Sequence, residues 1–235
     1  MIVATLFFEI NTMPIQRPKS LRELALEHLR GNIVNGTLKM GQILSERKIS
    51  EELGVSKSPV REALAQLRDE GLVTIEPQKG ARVFSLSDNE VAQICDFRLA
   101  IETTAFEMAL ARNPAALAKD MEGIVRQMKK AQFTGRVDEY LSLDTAFHQL
   151  IFTHCENDYL AASYSRYVGK IAALRTHLSE LPRHTELSLN EHELLAQAVQ
   201  TGNKEEIRRL LADHIDRTRQ VYTNANKLNH TGTAR

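Results

Sequence analysis

Apolar residues recur along this chain with two different periods. Leu21, Leu24, Ala25, Leu29, Ile33 and Val34 fall at helical spacing behind a Ser20-Leu-Arg-Glu23 capping box. Asn35-Gly36 ends that helix, and Met40 to Leu44 reads as a short extended link. Between Ser45 and Arg68 the pattern predicts two short helices around a tight turn. Ser45 is placed to cap the first, and Ile49 and Leu53 are its apolar face. Gly54 sits where a left-handed residue stops a helix. Ser56 or Ser58 caps the second, Pro59 falls in its first turn, and Val60, Leu64 and Leu67 form its buried stripe. The period then changes. Leu72 to Glu76 and Ala81 to Phe84 alternate as two strands around a Pro77-Gln-Lys-Gly80 turn.

From Ser87 onward the strand signals stop. Ser87-Asp-Asn-Glu90 is a second capping box, and helical spacing follows over roughly 88–111, 114–133, 136–154, 157–180, 184–201 and 203–228. Asn113-Pro114, Thr134-Gly135, Glu156-Asn157, Leu181-Pro182 and Thr201-Gly202-Asn203 are the breaks. The predicted fold is therefore mainly α. An N-terminal winged helix-turn-helix, three helices plus a two-stranded wing, precedes an antiparallel α-helical bundle of about six helices. The expected divisions are a tail over 1–16, the winged helix-turn-helix over 17–84, the helical bundle over 85–228 and a C-terminal tail over 229–235.

Composition adds a few constraints. The formal net charge is zero, but residues 17–82 hold 12 Lys/Arg against 9 Asp/Glu and the rest holds 18 against 21. That asymmetry fits nucleic acid at one end only. Cys95 and Cys155 lie far apart, each within an apolar pattern, so the expected setting is a reducing cytoplasm without a disulfide. No run approaches the roughly 18 apolar residues of a membrane span. Met1 to Ile10 is apolar but lacks a basic leader and a small-residue cleavage site, so it is not read as a signal peptide.

Two groups of polar residues carry chemistry. Lys57, Ser58, Arg61 and Arg68 are left outside the buried stripe of the second short helix, where they offer donors to DNA. Lys79 and Gly80 sit at the wing tip, a phosphate contact and a place for close backbone approach. The second group is inside. Asp144 and His148, one turn apart, interrupt an apolar face with Leu141 and Ile151. His192 lines up with Leu195, Ala196 and Val199, and His214 with Ile207, Leu210 and Leu211. Faces of this kind converge in a bundle, and one oxygen with three nitrogens suits Zn²⁺, Ni²⁺, Mn²⁺ or Fe²⁺. The competing reading is satisfied core histidines and a simple Asp–His hydrogen bond. His28, His154, His177, His184 and His230 fit no such pattern and are read as surface residues.

Three segments together resemble a known family. Gly36-Thr-Leu-Lys-Met-Gly-Gln-Ile-Leu-Ser-Glu-Arg47, Gly54-Val-Ser-Lys-Ser-Pro-Val-Arg-Glu-Ala-Leu64 and Glu70 to Gly80 are similar to the winged helix-turn-helix of GntR-type bacterial transcription regulators. Arg98-Leu-Ala-Ile-Glu102, Asp144-Thr-Ala-Phe-His148, Glu191-His192 and His214 resemble the FCD domain of the FadR subfamily. The resemblance implies that Arg47, Ser56, Lys57, Ser58 and Arg61 meet DNA at the recognition element, and Lys79 with Gly80 at the wing. Where the family commonly has Arg, Lys57 lacks the bidentate fork, so Arg61 is expected to read bases and Lys57 phosphate. The resemblance places Asp144, His148, His192 and His214 as metal ligands, with zinc first among the candidates.

It implies a cytoplasmic homodimer, a repressor on a palindromic double-stranded operator and not an enzyme. The expected effector is a small carboxylate, a sugar acid or hydroxy acid. Arg98, where the family carries Arg, is the first candidate for pairing with it; Arg166 and Arg175 are weaker candidates and are read as surface charges. The alternatives are a metal sensor, in which the ion is itself the signal, and a metal-dependent hydrolase.

Overall fold

The computed structural model describes residues 18–76 and 79–232, with side chains to residue 224. The expected tail over 1–16, residues 233–235 of the expected tail over 229–235, the Pro77-Gln78 half of the wing turn and the His230 ring lie outside the described residues, and residues 229–232 continue the last helix.

Helix α1 (Leu21–Val34) opens on the capping box. The Ser20 hydroxyl accepts from the Glu23 N–H, and the Glu23 carboxylate accepts from the Ser20 N–H at 2.7 Å. α2 (Glu46–Leu53) is capped by Ser45 and stops at Gly54, whose φ of 64° is the left-handed conformation the turn requires. α3 (Lys57–Asp69) follows. Ser56 stands at its N-cap without a side-chain bond, and Ser58 donates to Glu62 at 3.1 Å instead. Val60, Ala63, Leu64 and Leu67 of α3 are buried and close the three-helix core against Ala25, Leu26 and Leu29 of α1.

The wing differs from expectation by one strand. β2 (Val73–Glu76) and β3 (Gly80–Val83) pair antiparallel, and β1 (Ile43–Leu44) pairs with the other edge of β3. The sheet order is β1-β3-β2. The link before α2 joins because β3 has a free edge. The Val83 N–H reaches the Gln42 carbonyl at 2.9 Å, and Leu44 buries its side chain beside Ala81.

Six helices complete the described chain: α4 (Asp88–Arg112), α5 (Pro114–Phe133), α6 (Val137–His154), α7 (Asp158–Ser179), α8 (His184–Thr201) and α9 (Lys204–Gly232). The second capping box starts α4, Pro114 is the first residue of α5, and Asn157 caps α7 by accepting from the Tyr159 and Leu160 N–H groups. α5 packs on α6 and α8, α4 on α9 and α6, and α8 on α9. Fully buried Phe106, Met121, Phe147, Ile151, Leu195 and Leu211 fill the interior. One helix also serves the winged part. α7 lies against α1, and Leu72 meets its Gly169.

Candidate metal centre and nucleic-acid interface

Three helices bring three imidazoles together. His148 of α6, His192 of α8 and His214 of α9 are each at most 3% exposed, and one ring nitrogen from each lies within 4.8 Å of those of the other two. The hydrogen bonds of the other ring nitrogens fix what faces inward. His148 Nδ1 donates to Glu102 Oε2 at 2.8 Å, His192 Nδ1 to the Ser188 carbonyl at 2.6 Å, and His214 Nδ1 to Glu191 Oε2 at 2.7 Å. Each acceptor lacks a proton to give, so each Nδ1 carries the hydrogen and each Nε2 presents a bare lone pair.

Among the described residues these lone pairs have no donor to meet. His148 Nε2 and His192 Nε2 are 3.2 Å apart, and buried His214 Nε2 has no hydrogen-bond partner. Asp144 stands beside these three, with Oδ1 4.0 Å from His148 Nε2 and Oδ2 3.9 Å from His192 Nε2, a different oxygen toward each of two rings. A cation bonding its ligands at about 2.1 Å spaces them by roughly 3 to 4 Å. The donor set therefore fits a transition-metal ion. Glu102, Ser188 and Glu191 would supply the outer hydrogen bonds that orient ligand histidines.

The electrostatics agree. Burial, with the guanidinium groups of Arg175 and Arg98 nearby, pushes His148 well below the usual imidazole range. Burial also lowers His192, and takes His214 down to about 4 despite its bond to Glu191. All three are neutral at pH 7, as ligation demands. Burial alone would raise the Asp144 carboxyl. Arg175 and the imidazoles hold it below the usual carboxylate range instead. Arg175 Nε is 2.8 Å from Asp144 Oδ1, an ion pair and not an aligned hydrogen bond.

Several residues stand elsewhere than expected. Arg175 is 5% exposed, against the surface position expected of it, because α7 turns it inward among Ile171, Leu174 and Leu178. His154 and His184 are also buried and not on the surface. His154 is covered by α5, where Asp120 meets its Nε2 at 3.0 Å, and His184 accepts from Arg217 Nη1 at 3.2 Å. Arg98 is buried, and its Nε donates to Glu102 Oε1 at 2.7 Å, so Glu102 bridges Arg98 and His148. Arg98 Nη2 has no partner. Glu102 and Glu191 lie within segments that resemble the FCD domain, and Ser188, one turn before His192, lies outside them; the part each plays is clear only once the ligands are placed.

At the other end of the molecule, Arg47, Ser56, Lys57, Ser58, Arg61, Lys79 and Gly80 are all exposed. Arg61 pairs with Glu46 at 3.0 Å, Arg47 with Glu51 at 2.7 Å and Lys79 with Glu76 at 2.9 Å. Exposed pairs of this kind contribute little and are readily exchanged for phosphate. Gly80 has a φ of 86° and open space where a side chain would be.

Residues 21–83 match the bacterial regulatory proteins of the gntR family, and residues 93–217 match the FCD domain. The chain belongs to the GntR family of bacterial regulators. The gluconate operon transcriptional repressor of Bacillus licheniformis is 31% identical over 80% of this chain and 79% of its own length. That of Bacillus subtilis is 33% identical over 75% and 74%. Among solved structures, Escherichia coli McbR/YncC superposes with a TM-score of 0.75 at 21% identity, over 88% of this chain and 100% of its own, a likeness of fold. This GntR-family chain is a DNA-binding transcription regulator and not an enzyme, so the hydrolase reading falls. No helix among the described residues is long and apolar enough to cross a membrane.

Proposed function

We propose that this regulator is a cytoplasmic homodimeric repressor that binds a palindromic operator and responds to a small carboxylate at a metal ion. Asp144, His148, His192 and His214 hold the ion, with zinc first and nickel, manganese or iron as the other candidates. The observation that carries the reading is the convergence of three buried, bare imidazole nitrogens with no donor between them among the described residues, beside the Asp144 carboxylate. An ion there supplies a Lewis-acidic position that takes a carboxylate oxygen. The unpartnered Nη2 of Arg98 is a second cationic donor close by. Arg61 reads base edges, Arg47, Ser56, Lys57 and Ser58 contact DNA around it, and Lys79 with Gly80 contacts the backbone from the wing. One recognition helix covers few base pairs, so a two-fold pair supplies the remaining length and affinity.

Repressors of gluconate operons among the relatives make gluconate the first sugar acid to test. A thermal-shift screen of zinc-loaded protein with gluconate, other sugar acids and dicarboxylates should give a concentration-dependent rise for a ligand that binds the native state. The same ligand should release an operator duplex in an anisotropy titration. A metal-sensing reading has one observation in its favour. The cleft bordered by Tyr140, Asp144, Ser188, His214 and Arg217 has room for about one water molecule. Operator release by metal alone, unaffected by any carboxylate, would establish that reading instead.

A further inference from the structure

Helix α7 has two working faces. Tyr164, Ile171, Leu174, Arg175 and Leu178 are buried and face the bundle. Gly169, Thr176 and Glu180, spaced by seven and four residues, face the winged part. A Cβ at Gly169 would stand 3.0 Å from Leu72 Cδ1, Thr176 lies against Gly36, and Glu180 pairs with Lys39 at 3.2 Å. Leu72 is the last of the three residues between α3 and β2.

The inward face ends at the candidate centre with donors unspent. Arg175 Nε meets Asp144 and the Tyr164 hydroxyl interacts with the guanidinium, while neither Nη1 nor Nη2 has an aligned acceptor among the described residues. A buried guanidinium with donor capacity left over suits an acceptor, and a carboxylate matches its fork. The cleft beside it holds about one water, so a carboxylate of several heavy atoms enters only if a wall moves. α6, α8 and α9 each carry a member of the candidate ligand set, whereas α7 lines the cleft through Arg175 alone. It is the wall that holds no member of the candidate ligand set.

We propose that Arg175 anchors the effector's carboxylate and that α7, moving with it, transmits occupancy of the centre to the winged domain through the Gly169–Leu72 contact. This rests on the carboxylate reading above. The anchoring edge is Nη1 and Nη2, and Nε stays with Asp144. Movement of α7 at Gly169 displaces Leu72, and with it the junction of the recognition helix and the wing.

The test uses full-length zinc-loaded protein, with gluconate and citrate as probes. Arg175→Lys should weaken calorimetric binding of the probe that binds wild type by at least ten-fold, with zinc affinity held within three-fold. A smaller loss removes Arg175 from the role. Leu72→Ala should bind that probe like wild type yet need at least ten-fold more of it to release operator. Release at the wild-type concentration overturns transmission through this contact. Should Leu72→Ala fail to fold, Gly169→Ala, which crowds the contact instead of emptying it, is judged by the same criterion. Amide hydrogen exchange compares zinc-loaded wild type with and without the probe that binds. Segments 168–178 and 70–74 should change together, and a response confined to α6, α8 and α9 refutes the role of α7. If neither probe binds wild type, the carboxylate reading falls and the anchor with it; if a probe binds wild type and Arg175→Lys alike, the anchor alone falls.

Discussion

His148 Nε2 and His192 Nε2 stand 3.2 Å apart with no proton between them. Both Nδ1 atoms are committed, one to Glu102 and one to the Ser188 carbonyl, so neither ring can turn a hydrogen toward the other. Two buried lone pairs at this distance repel unless a cation lies between them. Protonating either ring would supply a hydrogen, but burial and the neighbouring guanidinium groups oppose it.

Purified protein should therefore carry one divalent ion per chain by elemental analysis, and His192→Ala should lose it. Removing the ion with a chelator should lower the melting temperature. At an ion concentration of about 100 times Kd the stabilisation is about 2.7 kcal/mol. For a chain of this size that is a shift of roughly 5 to 10 °C. Identical scans for the loaded and stripped protein would show that the histidines are packing residues.

Glu102 holds the orientation of His148 and is itself bridged by Arg98. Glu102→Gln keeps the shape but removes the charge. Metal affinity should fall about 10- to 100-fold, the usual effect of losing an outer hydrogen-bond partner. The same change leaves the Arg98 charge buried without its ion pair, so the fold should lose about 3–5 kcal/mol as well. Competition with a chromogenic chelator reads the first effect and urea unfolding of the loaded protein the second. Unchanged metal affinity would place Glu102 outside the centre.

The helices and the candidate ligands were legible because each leaves a periodic trace. Asp144, His148, His192 and His214 stood out as polar residues on apolar stripes, and burial agrees with that pattern. Arg175 gave the same signal, with Ile171 four residues before it and Leu178 three after, yet a long cationic side chain so often reaches solvent that it reads as surface. His154 could not be read this way. Its burial comes from α5, and the sequence near it says nothing of that neighbour. β1 is two residues long, too short for alternation to register, and only the free edge of β3 explains it.

The turn between α2 and α3 offers a stability test remote from the metal. Gly54 has a φ of 64° with open space around its Cα. Gly54→Ala meets no steric neighbour, so its cost is the left-handed backbone alone, about 1–2 kcal/mol. Urea unfolding should show a lower midpoint with an unchanged slope. A neutral result would mean that the turn adopts another conformation.

Arg61 and Lys57 separate base reading from backbone attraction. Arg61 lies one turn into α3, exposed and paired with Glu46, so its fork is available to a guanine edge once that exposed pair opens. Lys57, at the first position of α3, is a point charge without that fork. Arg61→Ala should weaken operator binding by about 1–3 kcal/mol and relax the preference at the base pair it reads. Lys57→Ala should weaken all sequences alike and reduce the slope of log affinity against log salt by about 1. Anisotropy titrations against the operator and single-base variants, at several salt concentrations, distinguish the two. If Lys57→Ala alone altered base preference, the roles would be reversed, and the shorter cation would be the one in the groove.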